Sequence, residues 1–83
     1  MADKFYVYAL CGVKDKNLYI GISSDPKDRV KQHNSGMTRS TRARRPFTLI
    51  YTEECADRKA ARAREIVLKS GSGREFLKKF IPK

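Results

Sequence analysis

With 83 residues, four tyrosines, four phenylalanines and no tryptophan, the chain has room for one modest core, since a protein this short buries only about 60% of the surface its unfolded form exposes; residues 1–83 are expected to form a single domain. Nineteen Lys and Arg against nine Asp and Glu leave a net charge of +10, which attracts polyanions through Coulomb forces and counterion release and makes nucleic acid the leading partner. No apolar run approaches the roughly 20 residues of a membrane span and no basic-then-apolar leader opens the chain, so no membrane association and a cytoplasmic location are expected.

Phe5 to Cys11 is rich in aromatic and β-favouring residues, Leu18 to Ser23 is similar, and Gly12 to Asn17 supplies turn chemistry between them; the pattern predicts a β-hairpin. Alternation puts Leu18, Ile20 and Ile22 on one face of the second strand and Tyr19, Gly21 and Ser23 on the other, while Tyr6 and Tyr8 share a face of the first. The two tyrosine-bearing faces can then coincide. Ser24 or Asp25 caps a helix that accepts Pro26 in its first turn, runs to about Asn34 and stops at Gly36, with Arg29 and His33 four apart on one face.

From Gly36 to Pro46, Arg39, Arg42, Arg44 and Arg45 stand among small polar residues, the composition of an exposed basic loop. Guanidiniums that close repel one another, so phosphate contact is the expected use. Phe47 to Thr52 is a third strand, Asp57 caps a helix reaching about Ser70 and ended by Gly71, and a last helix covers roughly Gly73 to Phe80. On the Asp57 helix, Ala60, Ala61, Ala63, Ile66, Val67 and Leu68 make a broad apolar arc. Glu65 falls just outside that arc, where pairing with Arg62 or Lys69 is the plain explanation for it. The resulting fold class is α+β, a small three-stranded antiparallel sheet flanked by helices in the order β-β-α-β-α-α.

Most enzyme chemistries find no support: there is no repeat, Gly-rich phosphate loop or nucleophile elbow. Cys11 and Cys55 lack C-x-x-C spacing and read as buried reduced thiols.

Tyr6-Val7-Tyr8 followed by Tyr19-Ile20-Gly21 on paired strands, Arg29 on the next helix and Glu65 on a later one resemble the GIY-YIG nucleases. Arg29, His33 and Asn34 on one helix, and Ser70-Gly71-Ser72-Gly73 before Arg74-Glu75-Phe76-Leu77, are similar to the small stand-alone members. The resemblance implies a metal-dependent DNA endonuclease, structure-selective or weakly sequence-specific, acting in DNA repair or recombination. Glu65 would ligate one hard cation, Mg²⁺ or Mn²⁺, and Arg29 would hold the scissile phosphate with its planar fork. Tyr8 or Tyr19 would orient or deprotonate the attacking water, with His33 as the alternative base or relay. Asn34 would orient substrate or else end its helix, and Arg39, Arg42, Arg44 and Arg45 would contact the DNA backbone.

Two positions depart from the family pattern: Tyr6 stands where glycine is the namesake, and Ile22 follows the second motif where the excision-repair branch carries lysine. No residues remain for a separate DNA-recognition domain, which argues against sequence-specific cutting by a monomer or weak homodimer. The competing readings are a nucleic-acid-binding accessory protein of the same fold, without turnover, and a protein-interaction module for an acidic partner.

Overall fold

A computed structural model of the chain describes residues 4–82, except the side chain of Ser40. The order is β1 (Phe5–Gly12), β2 (Leu18–Ser23), α1 (Pro26–Ser35), a 3₁₀ segment (Arg39–Arg44), β3 (Phe47–Cys55), α2 (Arg58–Lys69) and α3 (Gly71–Lys78). The three strands form one antiparallel sheet in the spatial order β2-β1-β3, which is the α+β architecture the sequence predicts. In the hairpin Tyr8 lies opposite Gly21 and Tyr6 opposite Ser23, so the tyrosine faces do coincide.

Both faces of the sheet are covered. Val7, Ala9 and Ile20 pack with Leu68 of α2 and Leu77 of α3 on one side. Tyr8, Leu10 and Phe47 form a second cluster on the other, joined by Tyr19, Leu49 and Val30 of α1. Because β1 is central and closed on both faces, its residues from Val7 onward are buried, which accounts for its run of apolar and aromatic side chains without polar alternation.

The helix ends follow capping chemistry. Asp25 accepts the amide N–H of Asp28 at 3.2 Å, Pro26 opens α1, and Gly36 closes it in the left-handed region at φ 86°. Asp57 caps α2 by accepting from Ala60 N at 2.8 Å. Ser70 serves both as the end of α2 and as the cap of α3, accepting from Gly73 N at 3.3 Å, so the last helix starts at Gly71 rather than Gly73 and stops at Lys78 rather than Phe80.

Three further expectations are corrected. β3 continues past Thr52 to Cys55 because Glu53 and Glu54, poor strand formers, are held by Arg64 and Lys4 at 3.0 and 2.9 Å. Residues 39–44 are a 3₁₀ helix instead of an open loop, with Thr41 buried beneath it. On α2 the buried seam is Ala61, Glu65 and Leu68, an i, i+4, i+7 stripe, while Ile66 and Val67 are 64% and 49% exposed. The short helix buries one edge of its apolar arc, and that edge includes the acid.

Candidate active site

The site begins with a missing side chain. A Cβ on Gly21 would lie 2.8 Å from the Tyr8 hydroxyl oxygen and 2.9 Å from its Cζ, so the bare backbone of β2 is what admits the phenol. Tyr8 then points toward α1, where its hydroxyl meets Nε2 of His33 at 3.3 Å. On the far side of the imidazole, Nδ1 lies 2.8 Å from the Thr41 hydroxyl, and Thr41 donates to the Thr38 carbonyl at 3.4 Å.

The chain of hydrogen bonds has a direction. A threonine hydroxyl carries one hydrogen, so a Thr41 that donates to Thr38 receives from Nδ1–H of His33. Neutral His33 therefore offers the lone pair of Nε2 to the Tyr8 O–H. His33 is fully buried, and burial first, then the charge of Arg29, pushes its pKa below the ordinary 6.5. Burial likewise raises the Tyr8 pKa above the ordinary 10, partly offset by the nearby guanidinium of Arg29. Tyr8 holds its proton at neutral pH and His33 lacks one, the arrangement a proton acceptor chain needs.

Around this pair stand the other residues of the motif. The ring of Tyr19 meets His33 edge-on at 4.9 Å and lies 6.5 Å from Tyr8. Arg29, one turn before His33, donates to Gln32 at 2.8 Å, and Gln32 donates on to Asp28 at 2.8 Å. Glu65 of α2 is 6% exposed, and its field reaches Tyr8. Its two carboxylate oxygens accept from Arg62 at 3.0 Å and Lys69 at 3.2 Å, both on its own helix. The structure thus brings Tyr8, Tyr19 and His33 together with Arg29 one helical turn away, while Glu65 is held by its own helix and reaches Tyr8 through its charge.

The chain as a whole has known counterparts. The GIY-YIG catalytic domain matches residues 4–79. The chain belongs to the GIY-YIG family. A UPF0213 protein of Streptococcus sanguinis is 42% identical over 71 residues, covering 83% of this chain and 79% of that protein. A UPF0213 protein of Staphylococcus saprophyticus is 36% identical over 77 residues, covering 92% and 93%. Among solved structures, the solution structure of a UPF0213 protein from Bacillus halodurans is 34% identical, covers 92% of this chain and 83% of its own, and superposes with a TM-score of 0.54.

GIY-YIG nucleases use divalent metal ions, and Glu65 is the carboxylate in this cluster able to hold one. No group of three or more His, Cys, Asp or Glu gathers among the described residues. A single carboxylate completed by waters and substrate phosphate oxygens is nevertheless the shell that Mg²⁺ adopts in phosphoryl-transfer sites. The donor set fits, provided that Arg62 and Lys69, whose side chains are 56% and 49% exposed, swing off the carboxylate.

The basic segment of this GIY-YIG chain divides into two edges. A 3₁₀ helix repeats every three residues, so Thr38, Thr41 and Arg44 fall on its inner side and Arg39, Arg42 and Arg45 on its outer. The outer three are exposed. Arg44 turns inward: its Nε pairs with Asp15 at 3.0 Å, its Nη2 donates to the Asn17 carbonyl at 3.2 Å, and its guanidinium lies over Phe47. Arg42 donates from Nε to the Gly36 carbonyl at 2.9 Å. Asn34 places both ends of its amide on Phe47, donating to the carbonyl at 3.1 Å and accepting from the N–H at 2.7 Å. Sequence reasoning missed Thr41, although its three-residue spacing from Thr38 and Arg44 is the signal that would have found it.

Proposed function

We propose that this protein is a divalent-metal-dependent DNA endonuclease, structure-selective or weakly sequence-specific, that acts on branched, flapped or damaged DNA of the kind repair and recombination produce. The observation that carries the reading is the buried hydrogen-bonded chain Tyr8–His33–Thr41, with the charges of Arg29 and of the buried Glu65 both acting on Tyr8. A structural polar cluster needs neither a neutral base aimed at a phenol nor a guanidinium beside both.

Arg29 is assigned to the scissile phosphate, which its planar fork can grip through two charge-assisted hydrogen bonds. Tyr8 is only 1% exposed, and the Arg29 guanidinium is near enough for its charge to act on the phenol. Drawing Arg29 onto a phosphate uncovers that oxygen. An attacking water then gives its proton to Tyr8 as Tyr8 passes its own to Nε2 of His33, leaving an imidazolium held by Thr41. The water oxygen bonds to phosphorus, the bond to the departing strand oxygen breaks, and that oxygen takes a proton from solvent. Tyr19, half-buried at the same opening, positions the water. Glu65 would hold Mg²⁺ or Mn²⁺, which supplies Lewis-acid stabilisation of charge on the phosphoryl oxygens. Arg39, Arg42 and Arg45 contact flanking phosphates. The proposed setting is the cytoplasm.

A second reading, DNA binding without turnover, is favoured by one feature: both Glu65 oxygens are already taken by Arg62 and Lys69. The two are separated by incubating the protein and Glu65→Ala with labelled branched, flapped, single-stranded and duplex DNA in Mg²⁺, Mn²⁺ or chelator. Cleavage by the parent alone, abolished by chelator, is expected; equal binding by both proteins with no cleavage would establish the binder.

A further inference from the structure

The residue that replaces the family's namesake glycine builds a cleft. Tyr6, half-buried on β1, forms one wall of an open cavity of about 330 Å³ with Leu49 and Thr52 of β3, and Pro26, Asp25 and Lys27 at the start of α1 form the other. A glycine at position 6 would leave that side open. Tyr6 lies on the same strand face as Tyr8, about 7 Å along it, and Pro26 is one helical turn from Arg29. The cleft is neighbour to the nuclease constellation but uses none of its side chains.

We propose that this cleft receives an unpaired nucleobase of the strand whose phosphate Arg29 holds, so that the protein selects DNA in which a nucleotide next to the cut is free of its partner. The proposal rests on the nuclease reading only for the source of the strand. Size supports it: at about 30 Å³ per water, the space of about 330 Å³ holds roughly eleven waters, which leaves room for a flat guest the size of a purine. Chemistry supports it too. An aromatic ring beside Leu49, with Pro26 opposite, suits a flat apolar-faced guest, and base stacking on tyrosine is tolerant of sequence.

Charge argues against a phosphate in the same place. Asp25 lines the cleft with a carboxylate, which repels phosphate and accepts hydrogen bonds from exocyclic amino groups such as that of cytosine or adenine. Among the described residues Lys27 is the one cation lining it, and it suits the backbone phosphate at its rim. A base stacked inside a duplex cannot enter; a flap, a single strand or a flipped nucleotide can.

The test measures binding in chelator, so cleavage plays no part. Flapped, single-stranded and plain duplex DNA carry 2-aminopurine at successive positions across the junction, and fluorescence and affinity are followed for the parent, Tyr6→Ala, Tyr6→Phe and Thr52→Trp. Thr52 is exposed, so an indole there fills the cleft without disturbing the core, and thermal melting checks each fold. One position should change its emission on binding the parent and Tyr6→Phe. Tyr6→Ala and Thr52→Trp should lose that change and about tenfold in affinity for flapped DNA while holding plain duplex as tightly as before. Equal losses on both substrates, no loss on either, or saturation by free deoxyadenosine monophosphate as tight as by flapped DNA would overturn the proposal. A parent that shows the signal yet never cuts in Mg²⁺ removes the nuclease reading and upholds the cleft; one that cuts without any responding position refutes the cleft alone.

Discussion

A side chain on residue 21 would have to share space with the Tyr8 hydroxyl, since its first carbon would lie 2.8 Å from that oxygen, so Gly21 and Tyr8 together make one packed unit. Tyr8 is held at its far end by His33 and cannot swing aside freely. Gly21→Ala should therefore cost about 1–3 kcal/mol, the range for overpacking a core. A double-mutant cycle with Tyr8→Ala checks the cause: once the ring is gone the alanine should be tolerated, giving a coupling energy of opposite sign to the single-mutant cost. Additive losses would place the strain elsewhere.

Removing only the phenolic oxygen separates chemistry from folding. Tyr8→Phe keeps the ring that packs with Leu10 and Phe47 and deletes one long hydrogen bond, so stability should fall by about 1 kcal/mol and the melting temperature by roughly 4–8 °C. Cleavage of flapped DNA, if the proton chain runs through this oxygen, should drop at least about 100-fold. A variant that cuts like the parent would remove Tyr8 from the mechanism.

Stability should depend on pH through His33. Burial and Arg29 set its folded pKa below the ordinary 6.5, so the unfolded chain takes up a proton before the folded one does. His33 therefore contributes stability that is complete above about pH 7 and is lost as pH falls through 6.5 toward the folded value, with a slope of at most about 1.36 kcal/mol per pH unit. Melting curves at a series of pH values from 8 to 5 should show that decline in the parent and lack this step in His33→Gln. DNA cleavage should lose its base only at the lower end of that interval, as the folded imidazole itself takes up a proton, because only neutral imidazole accepts the phenolic proton.

Much of this arrangement is legible before any fold is known. The strands, the Asp25 and Asp57 caps and the Gly36 stop follow from local chemistry, which needs no knowledge of neighbours. Coincidence of the tyrosine faces follows from strand alternation. What escapes is decided by tertiary packing. Which edge of the α2 arc faces the sheet depends on where β1 and β2 lie, and that choice buries Glu65 and exposes Ile66. Arginine spacing alone could not say that Arg44 points inward, because its partners Asp15 and Asn17 belong to the hairpin turn nearly thirty residues earlier.

That inward turn separates the four arginines by experiment. Arg44→Gln removes the tie between the 3₁₀ segment and the hairpin turn, so it should lower the melting temperature while leaving the salt dependence of duplex binding unchanged. Glutamine at Arg39, Arg42 and Arg45 should do the reverse, flattening the slope of log K against log salt by about 0.9 for each phosphate that the protein no longer neutralises. A slope that moves with Arg44 and stays fixed with the outer three would invert the assignment.

Glu65 poses the opposite problem, a carboxylate with too many partners. Arg62 and Lys69 hold both its oxygens from exposed arms, and a cation can bind only after they yield. Each such pair is worth about 0.2–1 kcal/mol, so replacing both with alanine should lower the Mn²⁺ concentration that half-saturates the protein by roughly twofold to thirtyfold. The same change strips a buried carboxylate of its partners, so without metal the double variant should melt below the parent, and Mn²⁺ should restore more stability to it than to the parent. Mn²⁺ titration followed by paramagnetic resonance, with melting curves in chelator and in excess metal, reads both effects. If the double variant binds Mn²⁺ no better and gains no extra stability from it, then Glu65 is a helix-bound salt-bridge residue and the metal-ligand role fails.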